Sequence, residues 1–289
     1  MVYKKSRMNN FELDILVVNN FKNVKLWLLI PPFLLLILFF LFFALSDGAN
    51  FVDEYVGSQK SLFFFLNGEL SKFPNLQFNL TQLGDALIIY PLIIVFLFFA
   101  PKLWEVLLTS SIFSLVVSAT LKNIFSVPRP AAMFGDDSFT IIGEALYAHT
   151  ALPSGHSMTT FITITLLLFA FMPKKKYYKI VWSFLILTLS FIISFSRVGV
   201  GAHYPFDVII GSAIGFIVAV IGIKVNNNVR WLDWIKNKRY YPGFILILII
   251  WSILIIKEIA DHNLPIFYLS LMSLVLTLFL ITKAYVKKN

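Results

Sequence analysis

Apolar runs recur along the chain and polar stretches separate them. The first runs from Leu26 to Leu45, close to the ~20 residues that a helix needs to cross a bilayer. Further spans are predicted at 86–103, 105–124, 157–172, 180–197, 205–223, 243–256 and 266–283, the seventh of the eight being short. The pattern predicts an all-α fold, a polytopic membrane helix bundle of about six core transmembrane helices plus two C-terminal ones. It divides the chain into a polar N-terminal segment (1–25), a membrane core (26–225), and a loop with two further spans (226–289). Pro31 and Pro32 predict a kink near the start of the first span. A tight turn at Ala100-Pro101-Lys102 makes spans two and three a hairpin. The cluster Leu62-Phe63-Phe64-Phe65-Leu66 is too short to cross, so 47–85 reads as a segment on the outer surface, either a lid or lateral gate for a lipid or plain packing against the bundle. Ala44-Leu45-Ser46 resembles a small-x-small cleavage site, but the polar head and the apolar run are long for a signal peptide and predict an uncleaved anchor.

Composition agrees with this division. Of 289 residues, 58% are hydrophobic and 13% charged, with a mean hydropathy of +0.82. A separate soluble domain is not expected. There is no Cys, hence no disulfide framework.

The net charge of +9 would be compatible with nucleic acid until its placement is considered. With the N-terminus in the cytoplasm and alternating spans, eighteen of the 24 Lys and Arg residues fall inside, and only Lys60, Lys72, Lys122, Arg129, Arg197 and Lys257 outside. Four of the 15 acids fall inside. That is the positive-inside bias of a membrane protein, and it accounts for the charge with no nucleic acid partner. A bacterial cytoplasmic membrane is the expected location, with the polar site described next facing the periplasm or outside. Trp231, Trp234, Tyr240 and Tyr241 fit an interfacial belt.

Three outward cations break the bias beside span ends, and ionisable groups kept there point to function. Lys122 is followed after six residues by Arg129-Pro130. Pro153-Ser154-Gly155-His156 precedes the fourth span, with Ser154 as helix N-cap and Gly155 permitting close approach of a ligand. Amides at that helix start favour an anion. Ser196-Arg197 is followed by His203 and, four residues on, by Asp207 in the first turn of the next helix. A carboxylate on one imidazole nitrogen fixes the tautomer and leaves the other nitrogen to attack. Arg197 carries a fork that matches a phosphate. If the three segments meet, Lys122, Arg129, Arg197 and the amides at Ser154 and Gly155 surround a phosphoryl group, His203 attacks, and His156 serves as acid and then base. Three fixed cations repel a divalent ion, so no metal or other cofactor is expected. His149 and Glu144 in the loop before the second motif, and His262 in the last loop, read as surface or structural residues.

Lys122-x6-Arg129-Pro130, Pro153-Ser154-Gly155-His156 and Ser196-Arg197-x5-His203-x3-Asp207 resemble, in order and without departure, the three motifs of the type 2 phosphatidic acid phosphatase and haloperoxidase superfamily. The resemblance covers about residues 85–225. It implies a metal-independent integral-membrane lipid phosphatase with the roles just given, and it says nothing firm about 240–289. The implied substrate is a polyprenyl diphosphate, a phosphatidate or phosphatidylglycerol phosphate, or a lipid A type saccharolipid. The same residues would serve a lipid phosphotransferase. A transporter or a non-catalytic lipid-binding protein is the reading of another class. Coupled transporters keep ionisable groups near mid-membrane, whereas here they cluster at span ends.

Overall fold

A computed structural model of the protein describes residues 3–45 and 50–287. Ser46 of the small-x-small triplet and the basic Lys288 lie outside the described residues. Every regular element among those described is helical: α1 (Tyr3–Lys22), α2 (Ile30–Ala44), α3 (Phe51–Leu70), α4 (Pro74–Gln82), α5 (Ala86–Leu92), α6 (Phe96–Phe99), α7 (Pro101–Phe125), α8 (Pro130–Phe134), α9 (Gly155–Ala170), α10 (Lys176–Gly199), α11 (Pro205–Asn226), α12 (Tyr241–His262) and α13 (Pro265–Val286). Among the described residues, six stretches are long and apolar enough to cross a membrane: α2 with the 3-10 turn before it, α7 continued through α8, α10, α11, α12 with the short turn before it, and α13. The 16-residue α9 is apolar but shorter. The chain is an integral membrane protein.

Pro31 and Pro32 initiate α2 rather than kinking it, because a proline in the first helical turn withholds an N–H that has no acceptor there. The seventh span is fuller than its apolar run, since α12 continues through Lys257, Glu258 and Asp261 to His262.

α9 and α11 form the hub. A Cβ at Gly211 would stand 2.6 Å from the Ser154 carbonyl oxygen, and one at Gly215 would stand 2.6 Å from that of Met158. Two glycines four apart therefore bring the helix backbones into contact, the small-residue packing of membrane helices. Ser154 N–H donates to the Asp207 carbonyl at 3.1 Å, pinning the start of α9 to the start of α11. At the far end, Asn20 Nδ2 of α1 donates to the Ala170 carbonyl at 2.8 Å, Lys224 Nζ donates to Val24 O, and Lys102 N–H donates to Asp14 Oδ1 at 3.0 Å. The bundle thus has a face carrying α1 and an opposite face where α7 and α10 end and α9 and α11 begin.

The expected continuous span at 86–103 is interrupted. α5 stops at Leu92, α6 occupies only Phe96–Phe99, and α7 starts at Pro101. Pro91 has no N–H to return to Leu87 four residues back. The carbonyl so released accepts from Trp251 Nε1 of α12 at 3.0 Å, and Ser270 Oγ of α13 donates to the Ile88 carbonyl at 3.0 Å. An unpaired carbonyl within a bilayer is costly, so the two C-terminal helices have a structural role in pairing the backbone of a broken crossing. Trp251→Phe is expected to lower stability by about 1 kcal/mol, read as a fall in the thermal unfolding midpoint in detergent. An unchanged midpoint would contradict the assignment.

The segment at 47–85 is more than a surface layer. α3 turns Tyr55, Gln59, Phe63 and Asn67, each four residues from the last, into the protein at 2% exposure or less. Gln59 Oε1 accepts from Phe206 N–H at 2.9 Å, and Asn67 Nδ2 donates to the carbonyls of Thr140 and Val198 at 2.9 and 3.0 Å. The Leu62–Leu66 cluster divides accordingly, with Phe63 buried and Leu62 and Phe65 exposed.

Candidate active site

Each candidate residue sits at a helix end or in the adjoining turn, all on the face opposite α1. Lys122 lies in the last turn of α7, which Ser126 closes in a left-handed conformation at φ 45°. Arg129 precedes Pro130, the first residue of α8. Its N–H donates to the Ala148 carbonyl at 3.2 Å, and Ala151 N–H donates to that of Val127 at 3.0 Å. These bonds fasten the first motif to the strap leading into the second.

Ser154 caps α9, its Oγ accepting from Ser157 N–H at 3.4 Å. Its own N–H is committed to Asp207, so the donors left to a ligand there are the first N–H groups of the helix, on Gly155 and His156, which lack intrahelical partners. Lys122 Nζ lies 3.7 Å from where a Gly155 Cβ would project, placing the first motif's lysine over the second motif's glycine.

Arg197, in the last turn of α10, donates from Nη1 to Thr81 Oγ1 at 2.7 Å. Its carbonyl accepts from Ala202 and His203 N–H at 3.0 and 3.2 Å, closing the turn that carries the histidine. Gly201 adopts φ 79° in that turn, where a Cβ would also approach the Phe139 ring to 2.7 Å; an L side chain there is strained and obstructed.

His203 is 1% exposed and Asp207 is fully buried. His203 Nδ1 lies 3.2 Å from Asp207 Oδ2, which also accepts from Tyr204 N–H at 2.9 Å. The other carboxylate oxygen, Oδ1, accepts from Tyr55 O–H at 2.5 Å. With Nδ1 facing the carboxylate, Nε2 is the nitrogen left free to react.

Electrostatics tie the three segments together. Burial first, then the charges of Arg129, Arg197, His156 and Lys122, hold the His203 imidazole well below its ordinary pKa of 6.5. It is therefore neutral at pH 7 with a lone pair available. Burial and then the Asp207 carboxylate push the Tyr55 phenol well above 10, so it remains a donor. Tyr204 is pushed the same way for the same two reasons. Arg129 Nε and Nη1 and Arg197 Nε are buried without a protein acceptor. Buried guanidinium N–H groups normally have one, and an anion among the three motifs would provide it. Among the described residues, no three metal-ligating side chains cluster.

The site includes residues that the motifs do not contain. Tyr55 holds Asp207 and Thr81 holds Arg197. Asp85, the N-cap of α5, places Oδ2 3.9 Å from His156 Nε2. Tyr55 and Thr81 come from the outer helices, and Asp85 follows them. The available sequence signals were the four-residue spacing of Tyr55, Gln59, Phe63 and Asn67, and an acid directly before an apolar run. His149 and Glu144 are exposed, and His262 meets the Phe78 ring edge-on.

Residues 103–231 match the model of the PAP2 superfamily. An undecaprenyl-diphosphatase from Sulfolobus acidocaldarius is 25% identical over 198 residues, covering 66% of this chain and 90% of that protein. The crystal structure of Aquifex aeolicus LpxE is similar with a TM-score of 0.48 and 25% identity, covering 62% of this chain and 98% of that one. Lys122-Arg129, Ser154-His156 and Arg197-Asp207 all fall inside the region that matches the PAP2 superfamily model, so the chain is similar to that superfamily over the segment that carries its three motifs.

Proposed function

We propose that this protein is a lipid phosphatase that hydrolyses a lipid phosphate or diphosphate through a phosphohistidine. The observation that carries the reading is the set of buried, partnerless guanidinium N–H groups on Arg129 and Arg197 beside an imidazole held by a carboxylate. Guanidinium N–H groups without protein acceptors suit a phosphoryl group whose transition state spreads charge over three equatorial oxygens. Lys122, Arg129, Arg197 and the N–H groups of Gly155 and His156 serve as the donors. His203 Nε2 forms the bond to phosphorus as the bond to the leaving oxygen breaks, and His156 gives that oxygen its proton. His156 then takes a proton from water, whose oxygen attacks the phosphohistidine, and inorganic phosphate leaves with His203 restored. The apolar tail stays in the bilayer. The basic face carrying α1 is cytoplasmic by the positive-inside rule, so the reaction takes place at the outer face of a cytoplasmic membrane.

The Sulfolobus relative makes a polyprenyl diphosphate the first substrate to try. Purified protein is expected to release free phosphate from at least one of a polyprenyl diphosphate, phosphatidate, phosphatidylglycerol phosphate and lipid A. Vanadate should inhibit, and a chelator should not. No release from any of them, or label passing into a second lipid instead of free phosphate, would overturn hydrolysis.

Tyr55 is the positioning residue of this scheme, acting through Asp207. Tyr55→Phe leaves a buried carboxylate oxygen without its donor, a loss of about 1.5–3 kcal/mol for a hydrogen bond to a charged group. We expect kcat to fall about tenfold or more with KM little changed. Losing the phenol also concentrates charge on the oxygen facing His203, which favours imidazolium. The acid limb of kcat/KM should therefore move to higher pH, a change that loosened packing alone would not produce.

A further inference from the structure

A groove of about 790 Å³ opens on the face carrying α1, at the far end of the bundle from the histidines. It lies between the end of α1 with the turn after it and the start of α10, floored by Val24 and Phe169, both buried. Lys25, Lys174 and Lys179 line it and are exposed, and no acid is among its lining residues. Nor can an acid come from its two walls, because the chain has no Asp or Glu from Ile15 to Ser46 or from His156 to Phe206. Asn19 and Asn23 add side-chain amides beside the lysines. Trp27 and Ile180, also lining residues, are 63% and 62% exposed in the same band as the bilayer-facing side chains of α2 and α10.

We propose that this groove is a binding site for an anionic glycerophospholipid of the leaflet opposite the active site. The lysines and amides take the phosphate and glycerol, and the acyl chains run along Trp27 and Ile180 into the bilayer. Basic clefts between membrane helices bind anionic head groups on this principle. The volume is in the range of small-molecule sites. The unbalanced charge selects an anion, and the apolar wall selects a lipid over a free phosphate. The site would tie α1 to α10 and is independent of the catalytic assignment.

The test uses the full chain in non-ionic detergent, with phosphatidylglycerol or phosphatidylcholine titrated and bound lipid counted by native mass spectrometry. Phosphatidylglycerol is expected to bind and phosphatidylcholine not. Affinity should fall about fivefold for each lysine removed in Lys25→Gln, Lys174→Gln and Lys179→Gln. A control lacking three other cations of the same face (Lys238→Gln, Arg239→Gln, Lys283→Gln) should retain wild-type binding, and glycerol phosphate should not compete. A lipid held in the catalytic site is distinguished by its loss in Arg129→Ala and its persistence in the lysine variants. Should the lysine variants fail to fold, quenching of wild-type Trp27 by bromine-labelled phosphatidylglycerol, taken as the difference from Trp27→Phe, reads the same contact. Equal losses in the two triple variants, equal binding of phosphatidylcholine, displacement by glycerol phosphate, or unquenched Trp27 would each overturn the proposal.

Discussion

His203→Ala protein should insert and unfold like wild type yet lose turnover by about 10⁴-fold or more, the scale seen when a nucleophile is removed from a covalent mechanism. No neighbour can replace it. Asp207 has both oxygens engaged, by Tyr55 on one side and by Tyr204 N–H and His203 on the other, and His156 belongs to another helix start. Phosphate release at wild-type rate would reject the mechanism. The pH dependence of the wild type gives an independent check. A histidine whose folded pKa is depressed stays neutral, and so nucleophilic, below pH 6.5. The acid limb of kcat/KM reports the free enzyme. Once the substrate's own ionisation, about pH 6 for a monoester, is taken out, that limb should fall below pH 6.5. A limb above that value would mean that the free enzyme carries an imidazolium at His203.

The site was legible because each motif is compact and lies at a span end. Lys122 closes α7, His156 opens α9, and Arg197 and His203 bracket the turn between α10 and α11. Alternation of spans alone puts those ends on one face, so convergence was readable from topology. Bonds made across the chain were not legible. Nothing local marks Tyr55 as the partner of a residue 152 positions away, although its spacing with Gln59 and Asn67 showed that α3 has a polar face to bury. The interruption at Pro91 was half legible. A proline inside a span releases a carbonyl, but its pairing with Trp251 depends on how α12 packs. Ser154 shows another limit. Its position announced an N-cap, which it is, yet its N–H goes to Asp207 and the N–H groups left open begin one residue on. Sequence position located the amide nest, and packing decided which amides remain open.

His156→Gln should separate the two halves of the reaction. His156 sits in the first turn of α9 with its side chain about one-third exposed (33%), and Asp85 Oδ2 lies 3.9 Å from its Nε2. It is the group that would protonate the leaving oxygen and later activate water, a contribution of about 10²–10⁴-fold in general acid–base catalysis. With a lipid leaving group both steps need it, so overall turnover should fall by that range. The nitrophenolate of nitrophenyl phosphate leaves as a stabilised anion and does not need the acid. In the variant, His203 should still be phosphorylated by this substrate while hydrolysis stalls. The expected record is a burst of nitrophenol equal to the enzyme present, followed by slow release. Radiolabel from the phosphate should stay on the protein through alkaline denaturation and be lost in acid, as expected of a phosphoramidate. Adding His203→Ala to the variant should erase both the burst and the label. A variant that shows neither, yet still hydrolyses the lipid at wild-type rate, would take the acid–base role away from His156 and leave the water to be activated by another group.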